Sequence, residues 1–152
     1  MNMISFRKRN KLLEEASRVQ IYLDGFGSPE NDERRIARIG DSGEHMIVRN
    51  FPLPDRYRPD YIDLLILLDD FPARPPIGIY VLHKQNAALI EQLSSRFNAY
   101  RDKAFHSAPA IRNFTWICYS YADNAWRYRD DAPERGDNTA KFLAGFFAEL
   151  SK

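Results

Sequence analysis

The stretch of sequence that decides the fold is YIDLLILLDDFPARPPIGIYVL, residues 61–82. Its first eight residues form a near-continuous apolar run, which is typical of a strand in the middle of a sheet, and its last six form a second such run. Between them, residues 69–76 contain three prolines. Because the proline ring fixes φ and removes an N–H donor, this segment has a restricted backbone. The stretch therefore predicts two central strands joined by a rigid connector.

Working outward, hydrophobic spacing predicts a helix on either side of this stretch. Residues 5–23 carry apolar side chains at steps of four, three and four, and Asn138 can cap a helix with a broad apolar face near the end of the chain. The apolar positions are Leu12, Ala16, Val19 and Leu23 in the first helix, and Phe142, Leu143, Phe146, Phe147 and Leu150 in the second. Both helices are thus expected to cover a sheet with one face.

Three further elements complete the prediction. Residues 36–39 are a weak strand candidate, and the strand that begins at His45 is expected to end near Phe51. Asn86 can cap a third helix, residues 89–100, whose apolar positions recur at steps of four, four and three. The order of elements predicts a single α+β domain, 1–152. We expect an antiparallel four-stranded sheet, packed on one face by the N-terminal and C-terminal helices, with an inserted helix before Cys118.

Composition excludes several classes of function. The net charge of +1 gives no strong attraction to nucleic acid, and no apolar run approaches the roughly 20 residues of a membrane span, so we expect neither partner. One cysteine and three scattered histidines predict no metal site, and the phosphate-binding and hydrolase motifs that require glycine are absent. We expect no cofactor. The lone cysteine, with no signal peptide before it, indicates a cytoplasmic protein.

The cysteine stands in the segment WICYSY, residues 116–121. Free cysteine is among the most buried residue types, so Cys118 alone could simply fill a strand. A single thiolate can also take an acyl group from another thioester at almost no free-energy change and then lose it to an amine. Acyl transfer of this kind needs one thiol and a donor for the tetrahedral oxyanion.

Two features together resemble the ubiquitin-conjugating enzymes. Residues 70–76, DFPARPP, are similar to the Asp-Tyr-Pro-x-x-Pro-Pro turn that follows the third strand in that family. Ile117-Cys118, with Trp126 eight residues after the cysteine, is similar to the family's Ile-Cys and its cysteine-to-tryptophan spacing. The resemblance implies that Cys118 carries a ubiquitin-like protein as a thioester. We expect Trp126 to be a buried anchor beneath the active-site loop and not a contact residue.

The chain departs from the family at several points. The family's His-Pro-Asn asparagine precedes the cysteine by eight residues, where this chain has Ala110. The nearest substitutes before the cysteine are Asn113, as an amide donor to the oxyanion, and His106, as an imidazole. About twenty extra residues separate the proline turn from Cys118, and two C-terminal helices of the family are missing. These departures resemble divergent bacterial relatives, which implies an activating enzyme, a ubiquitin-like protein and a protein substrate as partners, sometimes in antiviral defence.

Two other functions remain open at this point. The missing His-Pro-Asn pattern permits a catalytically inactive module of the same fold, which binds a ubiquitin-like tail or scaffolds a complex. A cysteine hydrolase that pairs Cys118 with His106 is the weaker alternative, because no third residue is evident to orient the imidazole.

Overall fold

The computed structural model describes residues 5–27, 33–41, 44–101, 108–119 and 125–152. Helix α1 spans Phe6–Asp24 and is capped by Ser5, whose side-chain hydroxyl accepts a hydrogen bond from the Lys8 N–H at 3.1 Å. Helix α2 spans Ala87–Leu93, and helix α3 spans Thr139–Leu150. Asn138 caps α3 as predicted, since its side-chain oxygen accepts from the Lys141 N–H at 2.9 Å. The two flanking helices are therefore confirmed.

The described residues form six strands in one antiparallel sheet, with order β1-β2-β3-β4-β6-β5. The strands are β1 Ile36–Ile39, β2 His45–Pro52, β3 Tyr61–Leu67, β4 Ile79–Leu82, β5 Ala99–Arg101 and β6 Phe114–Ile117. The first four make a meander, and β6 then pairs with β4. The predicted α+β class and antiparallel sheet are confirmed, whereas the predicted number of four strands is wrong.

The two strands that the sequence did not predict are β5 and β6. The expected helix over residues 89–100 ends at Leu93, because the Ser94 and Ser95 hydroxyls donate to backbone carbonyls of the last turn at 2.8 Å and 2.7 Å. The chain then turns and becomes β5, which pairs with β6. The ring of Tyr100 stacks on Trp116 with centroids 5.6 Å apart. A contact with a distant strand therefore overrides the helical spacing of this segment.

The core lies between the sheet and the helices. One face of the sheet, here called the helix face, packs against α1 and α3, and its fully buried side chains include Met46, Ile66 and Ile79. The opposite face, the back face, carries a smaller cluster around Tyr80 and Trp116. The alternation of the two faces along each strand follows the period of two in a pleated sheet. The prediction that both helices cover the same face is confirmed.

A buried glutamate joins the two long helices. The Glu15 carboxylate, on α1, accepts from both the backbone N–H and the hydroxyl of Thr139 at 2.9 Å, in the first turn of α3. Its second oxygen pairs with the Arg18 guanidinium at 2.7 Å. Glu15 is fully buried, so these bonds provide the compensation that a carboxylate needs when it leaves water.

The outer edge of β1 is covered by a side chain of α1. The Gln20 amide oxygen accepts from the Ala37 N–H at 2.9 Å, and its nitrogen donates to the Arg35 carbonyl at 2.8 Å. One side-chain amide thus satisfies two backbone groups that face away from β2. Natural sheets commonly protect their edges from other strands, and Gln20 does so here.

Candidate functional site: the Cys118 end of the sheet

Cys118 lies immediately after the last residue of β6, where the chain turns. The Tyr119 N–H donates to the Ile117 carbonyl at 2.8 Å, which is the i to i+2 hydrogen bond of a three-residue turn centred on Cys118. The thiol is half-buried, and Cys118 packs against the cluster on the back face. A thiol at a turn beyond a strand end is held in place by the sheet without being enclosed in the core.

The register of the sheet identifies the neighbours of Cys118. Ile117 lies opposite Ala99 on β5 and opposite Ile79 on β4. One residue further along, Cys118 is therefore level with Asn98 on one side and Gly78 on the other. The Cys118 N–H donates to the Asn98 carbonyl at 2.8 Å, so the β5 to β6 pairing continues to this point.

Asn98 is the amide that this register brings to the cysteine. Directly opposed residues of an antiparallel pair point to the same face, with Cβ atoms about 5 Å apart. Asn98 is exposed, so its side chain can reach a group bound to the thiol. Sequence analysis did not single out Asn98, because it precedes Cys118 by twenty residues and only the strand pairing makes them neighbours.

Gly78 gives the back face its shape beside the cysteine. A Cβ atom at position 78 would lie 1.9 Å from Nε1 of Trp116, so the indole occupies the space that any other residue would fill. Trp116 stacks in turn on Tyr100. Aromatic rings therefore cover the sheet next to Cys118, and they limit how far water can approach the thiol from that face.

Tyr80 anchors the same cluster. Its hydroxyl donates to the Pro109 carbonyl at 2.8 Å, which ties the segment before β6 to the back face. Burial, with a smaller contribution from the charge of Asp69, raises the pKa of Tyr80 to about 12. The phenol is therefore neutral at physiological pH and serves as a hydrogen-bond donor.

The proline connector and Trp126 are in direct contact. The Trp126 indole Nε1 donates to the Pro72 carbonyl at 2.8 Å, and its ring packs on Phe71 with centroids 6.4 Å apart. Trp126 is 4% exposed. The expected burial of Trp126 is therefore confirmed, and the two sequence features that carry the resemblance meet in space.

Asn113 is not brought to the cysteine. Asn113 stands directly before β6 and Cys118 directly after it. The length of the strand therefore separates the two residues by about 17 Å at the usual rise of an extended chain. Asn113 adopts a left-handed conformation with φ of 75°, and its carbonyl accepts from the His83 N–H at 3.0 Å. Its position indicates a role in the turn before β6, and its amide cannot reach an acyl group on Cys118. The other candidate, His106, lies outside the described residues.

A groove on the back face lies at the far end of the sheet from Cys118. It has a volume of about 300 Å³, and its lining includes Ile47, Leu65, Leu82 and Phe114. Leu82 and Phe114 are opposed at the end of the β4 to β6 ladder that is distant from Ile117. The groove is therefore separate from the cysteine.

Two negative findings apply to the described part of the chain. No group of three histidine, cysteine or acidic side chains there could hold a metal ion. No helix among the residues in the ranges given above is long and apolar enough to cross a membrane.

Comparison with known proteins returns no relative. No family model matches the chain, no curated protein matches it, and no solved structure matches it. The chain is thus defined by its own architecture, an α+β protein with a six-stranded antiparallel sheet and a half-buried thiol at one end.

Proposed function

We propose that this protein is an acyl carrier of the ubiquitin-conjugating kind. It accepts the C-terminus of a ubiquitin-like protein on Cys118 from an activating enzyme and passes it to an amine of a protein substrate. The observation that carries the proposal is the position of the thiol. Cys118 is half-buried at a turn beyond β6, and the proline connector and Trp126, which carry the sequence resemblance, contact each other.

The proposed reaction does not require a strongly activated thiol. In the loading step the Cys118 thiolate attacks the thioester carbonyl of the activating enzyme, a new C–S bond forms, and the enzyme's thiolate leaves. In the discharge step a neutral amine attacks the new thioester, loses a proton to solvent, and releases the Cys118 thiolate. A thiol that must stay free for this cycle belongs in a reducing compartment, so we place the protein in the cytoplasm.

The second step needs a donor for the oxyanion, and Asn98 is our candidate. It is opposite Cys118 in the β5 to β6 register and is exposed. An amide N–H aimed at the developing charge stabilises the tetrahedral intermediate more than the ground state. Asn98 thus replaces Asn113 as the residue that we expect to assist discharge.

The test of the proposal is a loading assay with the cognate ubiquitin-like protein, its activating enzyme and ATP. We expect an adduct that survives denaturation and is released by excess thiol, because thioesters exchange with thiols and amides do not. Cys118→Ser should give a thiol-resistant ester or no adduct. Cys118→Ala should give none, while its circular dichroism spectrum stays that of the wild type.

Two outcomes would contradict the carrier function. Loading that persists in Cys118→Ala would place the acyl group elsewhere. A wild-type protein that binds its partner and the activating enzyme without forming an adduct would instead favour the inactive binding module.

A further inference from the structure

Helix α3 contains a glycine in its interior, at position 145. Glycine weakens the middle of a helix relative to alanine, because its backbone loses more conformational freedom on folding. A Cβ atom at position 145 would lie 2.3 Å from Oη of Tyr119. Gly145 therefore leaves a space at the surface of α3, here called the α3 slot, which the Tyr119 hydroxyl fills.

The ring of Tyr119 contacts three other aromatic rings. Its centroid lies 5.1 Å from that of Phe142 and 5.4 Å from that of Phe146, both on α3. The ring of Phe97 lies 5.8 Å away in an edge-to-face arrangement. A phenol ring is rigid, and rings packed at these distances leave it little freedom to turn. A displacement of the hydroxyl is therefore passed on to the backbone of Tyr119.

The backbone of Tyr119 belongs to the turn that holds the thiol. The Tyr119 N–H donates to the Ile117 carbonyl at 2.8 Å, in the turn centred on Cys118. The Cys118 N–H donates to the Asn98 carbonyl. Tyr119 and Phe97 pack against the core on the helix face, whereas Cys118 packs against the cluster on the back face. The two rings thus hold, from the helix face, the backbone that carries the thiol and the amide.

We propose that Tyr119, through its hydroxyl in the α3 slot, is a positioning residue that sets where the Cys118 thiol lies relative to the Asn98 amide. The inference rests on the proposed function, which requires an oxyanion donor within reach of the acyl group on Cys118. A misplacement of about 1 Å can slow a reaction about a hundredfold, because the donor and the oxyanion must be aligned in the transition state. Gly145, on another element of the fold, therefore influences discharge through Tyr119.

The variant Gly145→Ala fills the slot. To reach an ordinary contact of about 3.5 Å with the new Cβ atom, the Tyr119 hydroxyl must move by about 1 Å. Discharge to a lysine amine is measured in a single turnover, from protein that is already loaded on Cys118. We expect its rate constant to fall about tenfold to a hundredfold. An unchanged rate constant would overturn the proposal.

The Cys118 amide provides a readout that needs no enzyme. If the turn moves, the hydrogen bond from Cys118 to Asn98 weakens, and NMR should show hydrogen exchange at the Cys118 N–H at least about tenfold faster in Gly145→Ala. The amides of β3, in the interior of the sheet, should keep their wild-type exchange rates. Exchange that is faster by the same factor at β3 would overturn the proposal, because it would reflect a general loss of stability.

Tyr119→Phe provides the matched control. The ring carbon Cζ lies 3.6 Å from the Cβ position of residue 145, which is an ordinary contact, so a ring without the hydroxyl fits beside alanine. In the double variant Gly145→Ala with Tyr119→Phe, discharge and Cys118 exchange should both return to the values of Tyr119→Phe alone, and no return would overturn the proposal. Ala148→Gly weakens the same helix at an exposed position. A discharge defect in Ala148→Gly equal to that of Gly145→Ala would overturn the proposal as well.

If Gly145→Ala does not fold, Tyr119→Leu gives the same test, since it withdraws the ring from the slot. It should speed exchange at Cys118 and slow discharge, and wild-type exchange at Cys118 would overturn the proposal. Faster exchange with normal discharge would also overturn it and leave the carrier function in place. The expected exchange pattern in a protein that its activating enzyme cannot load would overturn the carrier function, and it would still support Tyr119 as the residue that holds the thiol in position.

Discussion

Trp126 donates its indole hydrogen to the carbonyl of Pro72, 54 residues earlier in the chain, at 2.8 Å. The bond fixes the segment after the cysteine turn to the connector between the two central strands. Trp126 is buried and Pro72 is half-buried, so replacing the indole would remove a donor from the Pro72 carbonyl.

We therefore expect Trp126→Phe to lower the free energy of unfolding by about 2 kcal/mol, since the Pro72 carbonyl loses its donor and the smaller ring leaves a void. Urea denaturation followed by circular dichroism measures the change. Tyr128→Phe is the control, because Tyr128 also packs on Phe71, at 5.0 Å, and keeps its ring in the variant. An effect of Trp126→Phe no larger than that of Tyr128→Phe would contradict the role assigned to the indole hydrogen bond.

Glu15 offers a second test of stability. Glu15→Ala leaves two donors of Thr139 unsatisfied at the buried start of α3, and we expect a loss of about 3 kcal/mol in unfolding free energy. Glu15→Gln keeps an oxygen for Thr139 and loses the ion pair with Arg18, so its loss should be smaller. The matched control is Glu14→Ala on the same helix, where a single exposed pair of 3.9 Å predicts a change within about 0.5 kcal/mol. A mild effect of Glu15→Ala would contradict the role assigned to the carboxylate.

The two asparagines near β6 should behave differently in the discharge assay. Asn98→Ala should leave loading intact and slow transfer from Cys118 to a lysine amine about tenfold to a thousandfold, the usual effect of losing one oxyanion donor. Asn113→Ala should leave discharge unchanged and cost about 1 kcal/mol of stability, because alanine disfavours a φ of 75°. Asn113→Gly, which accepts that φ, should restore the stability. Slow discharge in the Asn113 variants, with normal discharge in Asn98→Ala, would reverse the assignment.

The raised pKa of Tyr80 predicts that the protein loses stability at alkaline pH. Its folded pKa of about 12, raised first by burial, lies above the ordinary value of 10.0, so folding favours the neutral phenol. That stabilisation is fully present below about pH 10 and is lost as pH rises through the folded pKa. Tyr80→Phe should therefore weaken the fall in urea midpoint between about pH 9 and about pH 11.5, while costing about 1 kcal/mol at neutral pH through the lost bond to Pro109. Tyr22, whose pKa burial also raises to about 12, should give a similar alkaline effect when changed to Phe. An unaltered alkaline slope in Tyr80→Phe would contradict this account.

The sequence was sufficient to predict a helix or strand where its local apolar pattern agrees with the face that the fold buries. The apolar spacing of α1 and α3 and the apolar runs of β3 and β4 each match the face that the structure buries. For residues 89–100 the same kind of spacing was misleading, because Phe97 is satisfied by packing on Tyr119 and Phe146 after the helix has ended. Nothing local distinguishes that outcome from a longer helix.

For the candidate site around Cys118, too, the local sequence was not enough to identify the neighbouring residues. Cys118 and Trp126 could be selected from their spacing along the chain, whereas Asn98 becomes a neighbour of the cysteine only through the register of β5 and β6. Asn113 was chosen for closeness in sequence, and an extended strand carries it away. From the sequence, Glu15 would be read as one of the charged, exposed residues of an amphipathic helix. It is buried only because α3 packs against α1.

Gln20 also has a consequence for self-association. Two copies of the protein that paired their β1 strands would have to displace the Gln20 amide from the Arg35 carbonyl and the Ala37 N–H, and each copy would lose two hydrogen bonds. Gln20 therefore disfavours pairing between copies through β1. Replacing Gln20 with alanine would free this acceptor and this donor, and β1 would become more open to pairing with another chain.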